Sequence, residues 1–238
     1  MRGPYGFDMS DSCENDKLRK FEFFHSFSQQ AMKDFDAIKS SSVYPEGAVL
    51  FLEKQEARGV FVLCDGEIKL TVSSSEGKTL ILRIAKPGEI LGLMATLSGE
   101  PYELTAETLR PCQVTFIRRE DFLKFVAKHP EATQGVVRQL SANYHSACEQ
   151  LKTVGLSSSA PEKLARLLLG WSAGGEETKL GTRITMPLTH QEIAEFIGSS
   201  RETVTRTLSD FRSRHLVTMK GSTLMIADRP ALRACAND

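Results

Sequence analysis

The residues best equipped for chemistry crowd into one stretch, LTHQEIAEFIGSSRETVTRTLSDFRSRHLV, residues 188–217. Arg201, Glu202 and Arg206 stand there at helical spacing, with His190, Gln191, Ser199, Ser200 and Thr203 around them. A guanidinium bonds guanine O6 and N7 together, and a Glu carboxylate accepts from cytosine N4. Hydroxyl, amide and imidazole groups hold phosphates and fix register without reading sequence. The chemistry these side chains can do is therefore noncovalent: recognition of base edges in a DNA major groove. Catalytic machinery has no counterpart. The sequence contains no G-x-x-x-x-G-K-S/T, G-x-S-x-G, H-E-x-x-H or G-x-G-x-x-G, and no His/Cys set at metal-ligand spacing, so no catalytic or metal residue is named and the chain is not expected to be an enzyme.

Two helices must position those side chains. Thr189 and Glu192 form a T-x-x-E capping box, which starts a helix at His190. Ile193, Ala194 and Ile197 give its inward face, and Gly198 ends it in a tight turn. Ser199 or Ser200 caps the second helix, whose Val204, Leu208 and Phe211 point inward. Arg201, Glu202, Thr205, Arg206, Ser209 and Arg212 then point outward. This is a helix-turn-helix layout. The following LVTMKGSTLMIAD alternates about Lys220-Gly221 and reads as a β-hairpin wing with Lys220 near its tip. Upstream, Gly155 to Pro161 reads as a hinge. Ser159 with Glu162 caps the amphipathic helix EKLARLLLGWS, so a domain is expected over 156–238.

The period before that hinge is also helical. Val137, Leu140, Tyr144, Ala147, Leu151 and Val154 recur at alternating steps of three and four, an a/d seam suited to a partner helix. Residues 129–155 are expected as a long helix that pairs with its copy in a homodimer. From Ser42 to Arg118 short β-prone runs (VLFLE, GVFVLC, EIKLTVS, TLILRIA, QVTFI) alternate with glycine turns, the pattern of a β-roll or jelly roll over 21–128. GEILGLMATLSGE breaks that rhythm with a helical turn or two, in a position where ligands often bind. Residues 1–20 read as a loose arm. The fold class is α+β.

Composition sets the remaining bounds. Of 238 residues 25% are charged, and Lys+Arg equals Asp+Glu at 30 each. The neutrality hides an asymmetry: from Leu156 onward eleven basic residues face nine acidic ones, and Ser199–Gly221 holds five against two. A basic patch within one segment is the footprint expected of nucleic-acid contact. No apolar run is long enough to span a membrane, and the polar N-terminus lacks a signal-peptide pattern. The five cysteines (Cys13, Cys64, Cys112, Cys148, Cys235) are odd in number and unpaired in spacing. They are expected as separate thiols in a cytoplasmic protein, with a redox role for Cys148 beside the seam left open.

SRETVTR followed by a hairpin, together with EGAVLF, GVFVLCDGEIKL and the Gly88-to-Gly92 turn, resembles the CRP/FNR family of bacterial transcription regulators. The resemblance spans about Phe21 to Ile226. It implies that Arg201, Glu202 and Arg206 read bases in a TGTGA-like half-site of a palindrome. His190, Gln191, Ser200 and Thr203 would sit near phosphates, with Lys220 in the wing. It also implies RNA polymerase as a partner and a small-molecule effector in the roll. The effector positions that the family devotes to cyclic AMP fall on Gly92, Leu93, Met94, Glu103, Leu104, Cys148 and Glu149. The ribose carboxylate has become Leu93 and the phosphate cation Glu103, so cyclic AMP in its usual pose is not expected. Only Cys13 lies near the N-terminus, so no iron–sulfur cluster is expected either. The effector is left unnamed: the segment reads as a site for an apolar or organic molecule, or as that of a form active without ligand. A ligand-binding module that controls a protein partner instead of DNA is the alternative class, and it leaves Arg201, Glu202, Arg206 and the wing without a use.

Overall fold

The computed structural model describes residues 13, 15–156, 159–186 and 188–236. Most of the expected N-terminal arm, and Ser157 and Ser158 of the expected hinge, lie outside them. The chain divides into two compact units, one of residues up to Ser74 with Leu82–Ala147, the other of Ser75–Ile81 with Cys148 onward.

The first unit holds, in chain order, α1 (Asn15–Leu18), α2 (Gln29–Ile38), β1 (Ser40–Tyr44), β2 (Val49–Phe51), β3 (Gly59–Asp65), β4 (Ile68–Ser73), β5 (Thr79–Ala85), β6 (Ile90–Leu91), α3 (Leu93–Ser98), β7 (Thr105–Thr108), β8 (Cys112–Arg118), α4 (Arg119–Lys128) and α5 (Pro130–Gly155). Strand β5 and helix α5 continue into the second unit. Two four-stranded sheets, ordered β1-β8-β3-β6 and β2-β7-β4-β5, make the roll. Phe51, Ile68, Leu70 and Ala106 from one sheet share a core with Phe61, Leu63, Leu91 and Val114 from the other. Strand β3 shows why GVFVLC is apolar throughout. Phe61 and Leu63 face that inter-sheet core, while Val60, Val62 and Cys64 face a second core under the helices. Successive strand side chains point to opposite faces, and here both faces are covered. The helical layer is built on Phe24, Phe35 and Phe122, all fully buried.

One expectation fails in this layer. Cys13 and Cys64 are not separate thiols but a disulfide, with Cα atoms 5.5 Å apart across 51 positions of sequence. Fully buried Leu18 seats α1 on the helical core, and Cys64 points to that same side of β3. Lys39 Nζ also donates to the Cys13 carbonyl at 2.7 Å. The pairing depends on where the chain folds back, which cysteine count and spacing do not carry. Cys112, Cys148 and Cys235 are free. Burial pushes the Cys112 thiol up to about 11, so it is inert at neutral pH.

The second unit contains α6 (Ala160–Ser172), β9 (Glu176–Thr178), β10 (Gly181–Thr185), α7 (His190–Ile197), α8 (Arg201–Ser213), β11 (Val217–Lys220), β12 (Thr223–Ile226) and α9 (Arg229–Cys235). Ser159 caps α6 by accepting from the Glu162 N–H, as its S-x-x-E spacing predicts. The expected two-stranded wing, with Lys220 opposite Thr223, is half of a four-stranded sheet, β11-β12-β10-β9. That sheet anchors the wing: Leu224 is fully buried and Ile226 nearly so.

Candidate nucleic-acid interface and effector pocket

The recognition pair is built from its caps. The Thr189 side chain accepts from the Glu192 N–H, and the Glu192 carboxylate accepts from the Thr189 N–H at 2.9 Å. This reciprocal pair fixes the start of α7. Gly198 closes it with φ 62° and ψ 49°, a left-handed conformation that a side chain disfavours. Ser200, not Ser199, caps α8, accepting from the Thr203 N–H at 3.2 Å. Ile193, Ala194, Ile197, Val204, Leu208 and Phe211 are all buried, as their spacing demands, and Thr207 joins them.

The outward face of α8 is open to solvent. Arg201, Glu202, Thr205, Arg206, Ser209 and Arg212 are exposed. Among the described residues neither Arg201 nor Arg206 has an ion-pair partner, whereas Arg166 is paired with Glu162, Arg183 with Glu176, Arg214 with Asp210 and Arg229 with Glu177. Arg201 and Arg206 are thus, with Arg212 of the same helix, exposed cations that hold no ion pair among the described residues. Lys220 is exposed at the end of β11 and likewise free of an ion pair among the described residues. The proposed phosphate set is mixed. His190 Nδ1 lies 3.0 Å from Thr205 Oγ1, and Gln191 donates to Glu195. Ser200 and Thr203 share a 3.0 Å hydroxyl contact, and Ser199 is half-buried.

In the roll, Gly92, Leu93, Met94, Glu103 and Leu104 come together around a cavity of about 320 Å³. Its far wall is α5, through Leu140, Asn143, Tyr144 and Ala147. Cys148 and Glu149, expected in the pocket, do not line it. An α-helix turns about 100° per residue, so these positions leave the face that carries Asn143 and Ala147. Glu149 pairs with Lys152 instead. Glu103 is exposed, so its charge stands in solvent at the rim. Arg83 and Asn143 supply polarity that the sequence reading missed. The Arg83 guanidinium is occupied by the Glu89 carboxylate.

The expected seam divides in two. Val137, Tyr144 and Leu151, each seven apart, are 61%, 75% and 66% exposed. Leu140 instead packs on the helical core, and Ala147 is half-buried. The stripe open to a partner is therefore narrower than the whole a/d set.

Comparison with known proteins places both halves. The cyclic nucleotide-binding domain matches residues 42–129, and the Crp-like helix-turn-helix domain matches residues 162–235. The chain belongs to the CRP/FNR family of transcription regulators. This regulator is similar to the CRP-like cAMP-activated global transcriptional regulator of Mycobacterium tuberculosis, 25% identical over 195 residues, 79% of this chain and 84% of that protein. It is also similar to the nitrogen fixation regulation protein FixK of Azorhizobium caulinodans, 26% identical over 200 residues, 83% and 79% of the two chains. The structure of the c-di-GMP responsive global regulator CLP of Xanthomonas campestris shares its fold, with a TM-score of 0.74 at 19% identity over 84% of this chain and all of that one. The regulator is a DNA-binding protein with a cyclic nucleotide-binding-type domain, and these relatives are regulators, not enzymes. Among the described residues no helix is long and apolar enough to cross a membrane.

Proposed function

We propose that this regulator binds a palindromic DNA site as a homodimer, reading TGTGA-like half-sites with Arg201, Glu202 and Arg206 and answering to an effector in the roll. The observation that carries the reading is the pair of unpartnered guanidinium groups beside Glu202 on the exposed first turns of α8. Recognition helices enter the major groove by that end. Ser199, Ser200, Thr203, His190, Gln191 and Lys220 surround it as phosphate contacts. Two copies of α5 pair through Val137, Tyr144 and Leu151, and the half-sites lie about one helical turn, roughly 34 Å, apart.

The 320 Å³ cavity is of a size for a small organic effector. Its Leu93 offers nothing to a ribose, Glu103 repels a phosphate, and Arg83 is already paired. The effector is therefore apolar and not cyclic AMP in its usual pose. The protein works in the cytoplasm with RNA polymerase as its partner and has no catalytic activity. Selection of bound duplexes from a random pool tests the DNA reading. A recovered palindrome with two half-sites a helical turn apart supports it. A pool without symmetry, or one unchanged by Arg206→Ala, refutes it.

A further inference from the structure

The first unit contains a second, larger cavity of about 480 Å³ whose walls differ in kind. It lies between the segment after α1, the β5–β6 connection and α5. Its charged lining is Lys20, Glu22, Arg83, Lys86, Glu89 and Arg138. Glu89 is spent: one oxygen accepts from Arg83 and the other from the Lys86 N–H at 2.9 Å. That leaves the side chains of Lys20, Lys86 and Arg138 facing a single acid, Glu22. Neither lysine has an ion pair among the described residues. Arg138 reaches only the Ser26 hydroxyl, at 3.5 Å, and its Nε is buried with no hydrogen-bond partner. A buried guanidinium N–H without an acceptor is costly, and such groups call for an explanation.

Two glycines bring aromatic rings close against the cavity walls. Gly88, at φ 95°, turns the β5–β6 connection under the Phe21 ring, where a Cβ would lie 2.6 Å from that ring. Gly135 lets Phe23 approach α5, where a Cβ would lie 2.9 Å from its ring. Helix geometry keeps the cavity clear of a dimer partner. Gly135, Arg138, Ala142 and Ser146 lie on the side of α5 opposite the stripe of Val137, Tyr144 and Leu151.

We propose that this cavity is a second ligand site, separate from the apolar effector pocket, that binds a phosphate-bearing small molecule. Three cations in one lining, with a surplus of two positive charges, match a dianion with three acceptor oxygens better than a single carboxylate. The volume exceeds what inorganic phosphate fills and suits an organic phosphate whose carbon skeleton lies along Phe21. Arg83 and Asn143 line both cavities, so this site shares a wall with the effector pocket. The proposal does not depend on how the DNA is read.

Isothermal titration calorimetry of the full chain with ribose 5-phosphate, inorganic phosphate and ribose tests it at low ionic strength. Ribose 5-phosphate is expected to bind most tightly, phosphate more weakly, and ribose not at all. Arg138→Gln and Lys86→Gln should each weaken binding roughly 10- to 100-fold, the value of a charge-assisted hydrogen bond. Met94→Asn, at an exposed position of the apolar pocket, should leave it unchanged. Absence of binding by both phosphates at millimolar concentration overturns the proposal. So does binding that survives Lys86→Gln, an exposed substitution that does not threaten folding, or binding that Met94→Asn abolishes.

Discussion

Reduction of the Cys13–Cys64 disulfide should cost the first unit more stability than any single surface substitution. The bond closes a loop across 51 positions. Chain-entropy arithmetic for a loop of that length gives about 4 kcal/mol at room temperature. For a unit of roughly 140 residues each kcal/mol moves the melting temperature by a few degrees, so reduction should lower it by on the order of 10 °C. Thermal unfolding followed by circular dichroism with and without dithiothreitol reads the shift. Cys13→Ser should melt like the reduced wild type and ignore the reductant. A thiol titration in denaturant provides the count: three reactive thiols before reduction, from Cys112, Cys148 and Cys235, and all five after. Five thiols before reduction, or a melting shift of less than about 2 °C, would refute the cross-link and the docking of Cys13 that it implies.

Four further outcomes follow from the geometry. Arg201→Ala and Arg206→Ala should each cost about 1–3 kcal/mol on the cognate duplex and relax specificity there, read by competition binding against base-substituted sites. Gly198→Ala should destabilise the second unit by about 1–2 kcal/mol in chemical denaturation, because its φ of 62° is left-handed and the new Cβ would sit 3.2 Å from Val154 Cγ1. Tyr144→Glu with Leu151→Glu should give monomers in sedimentation velocity while leaving the circular dichroism spectrum unchanged, since both side chains are exposed. Hydrogen bonds from Lys128, Gln30 and His129 hold the Asp34 carboxyl at about 2, below its ordinary 3.8. A depressed carboxylate contributes stability above its unfolded value and loses it as pH falls through the folded one. Urea midpoints should therefore drop between pH 3.8 and about 2, and Asp34→Asn should flatten that drop.

Legibility in the sequence followed the locality of the interactions. The helix-turn-helix was readable nearly to the residue, because its caps, its glycine turn and its 3.6-residue period are all local. Strands β3, β4 and β5 declared themselves through continuous or alternating apolar runs. The strands that were missed are mostly short or polar: β1 is SSSVY with three exposed serines, β6 has two residues, β7 is TAET, β9 is EET and β10 is GTRIT. Such strands exist because a neighbour pairs with them, as β8 pairs with β1 from Tyr44 to Ser40. The cavity around Leu93 was half legible. Gly92 to Met94 and Glu103 to Leu104 came from resemblance and do meet, but Arg83 and Asn143 join them only through the fold. The disulfide was illegible for the same reason. The heptad seam was overread: Leu140 obeys the period yet packs on its own roll. An a/d pattern cannot distinguish a partner helix from the underlying domain.

The central proposal is that α8 reads DNA. The most direct measurement is fluorescence anisotropy of a labelled TGTGA-type palindrome against a scrambled duplex, at one stated salt concentration, with and without cyclic AMP. Affinity for the palindrome is expected to be roughly 1000-fold or more above that for the scrambled duplex, unchanged by cyclic AMP and lowered by about 1–3 kcal/mol in Arg206→Ala. Equal affinity for the two duplexes would contradict base reading by α8, and binding that appears only with cyclic AMP would contradict the reading of the pocket around Leu93 and Glu103.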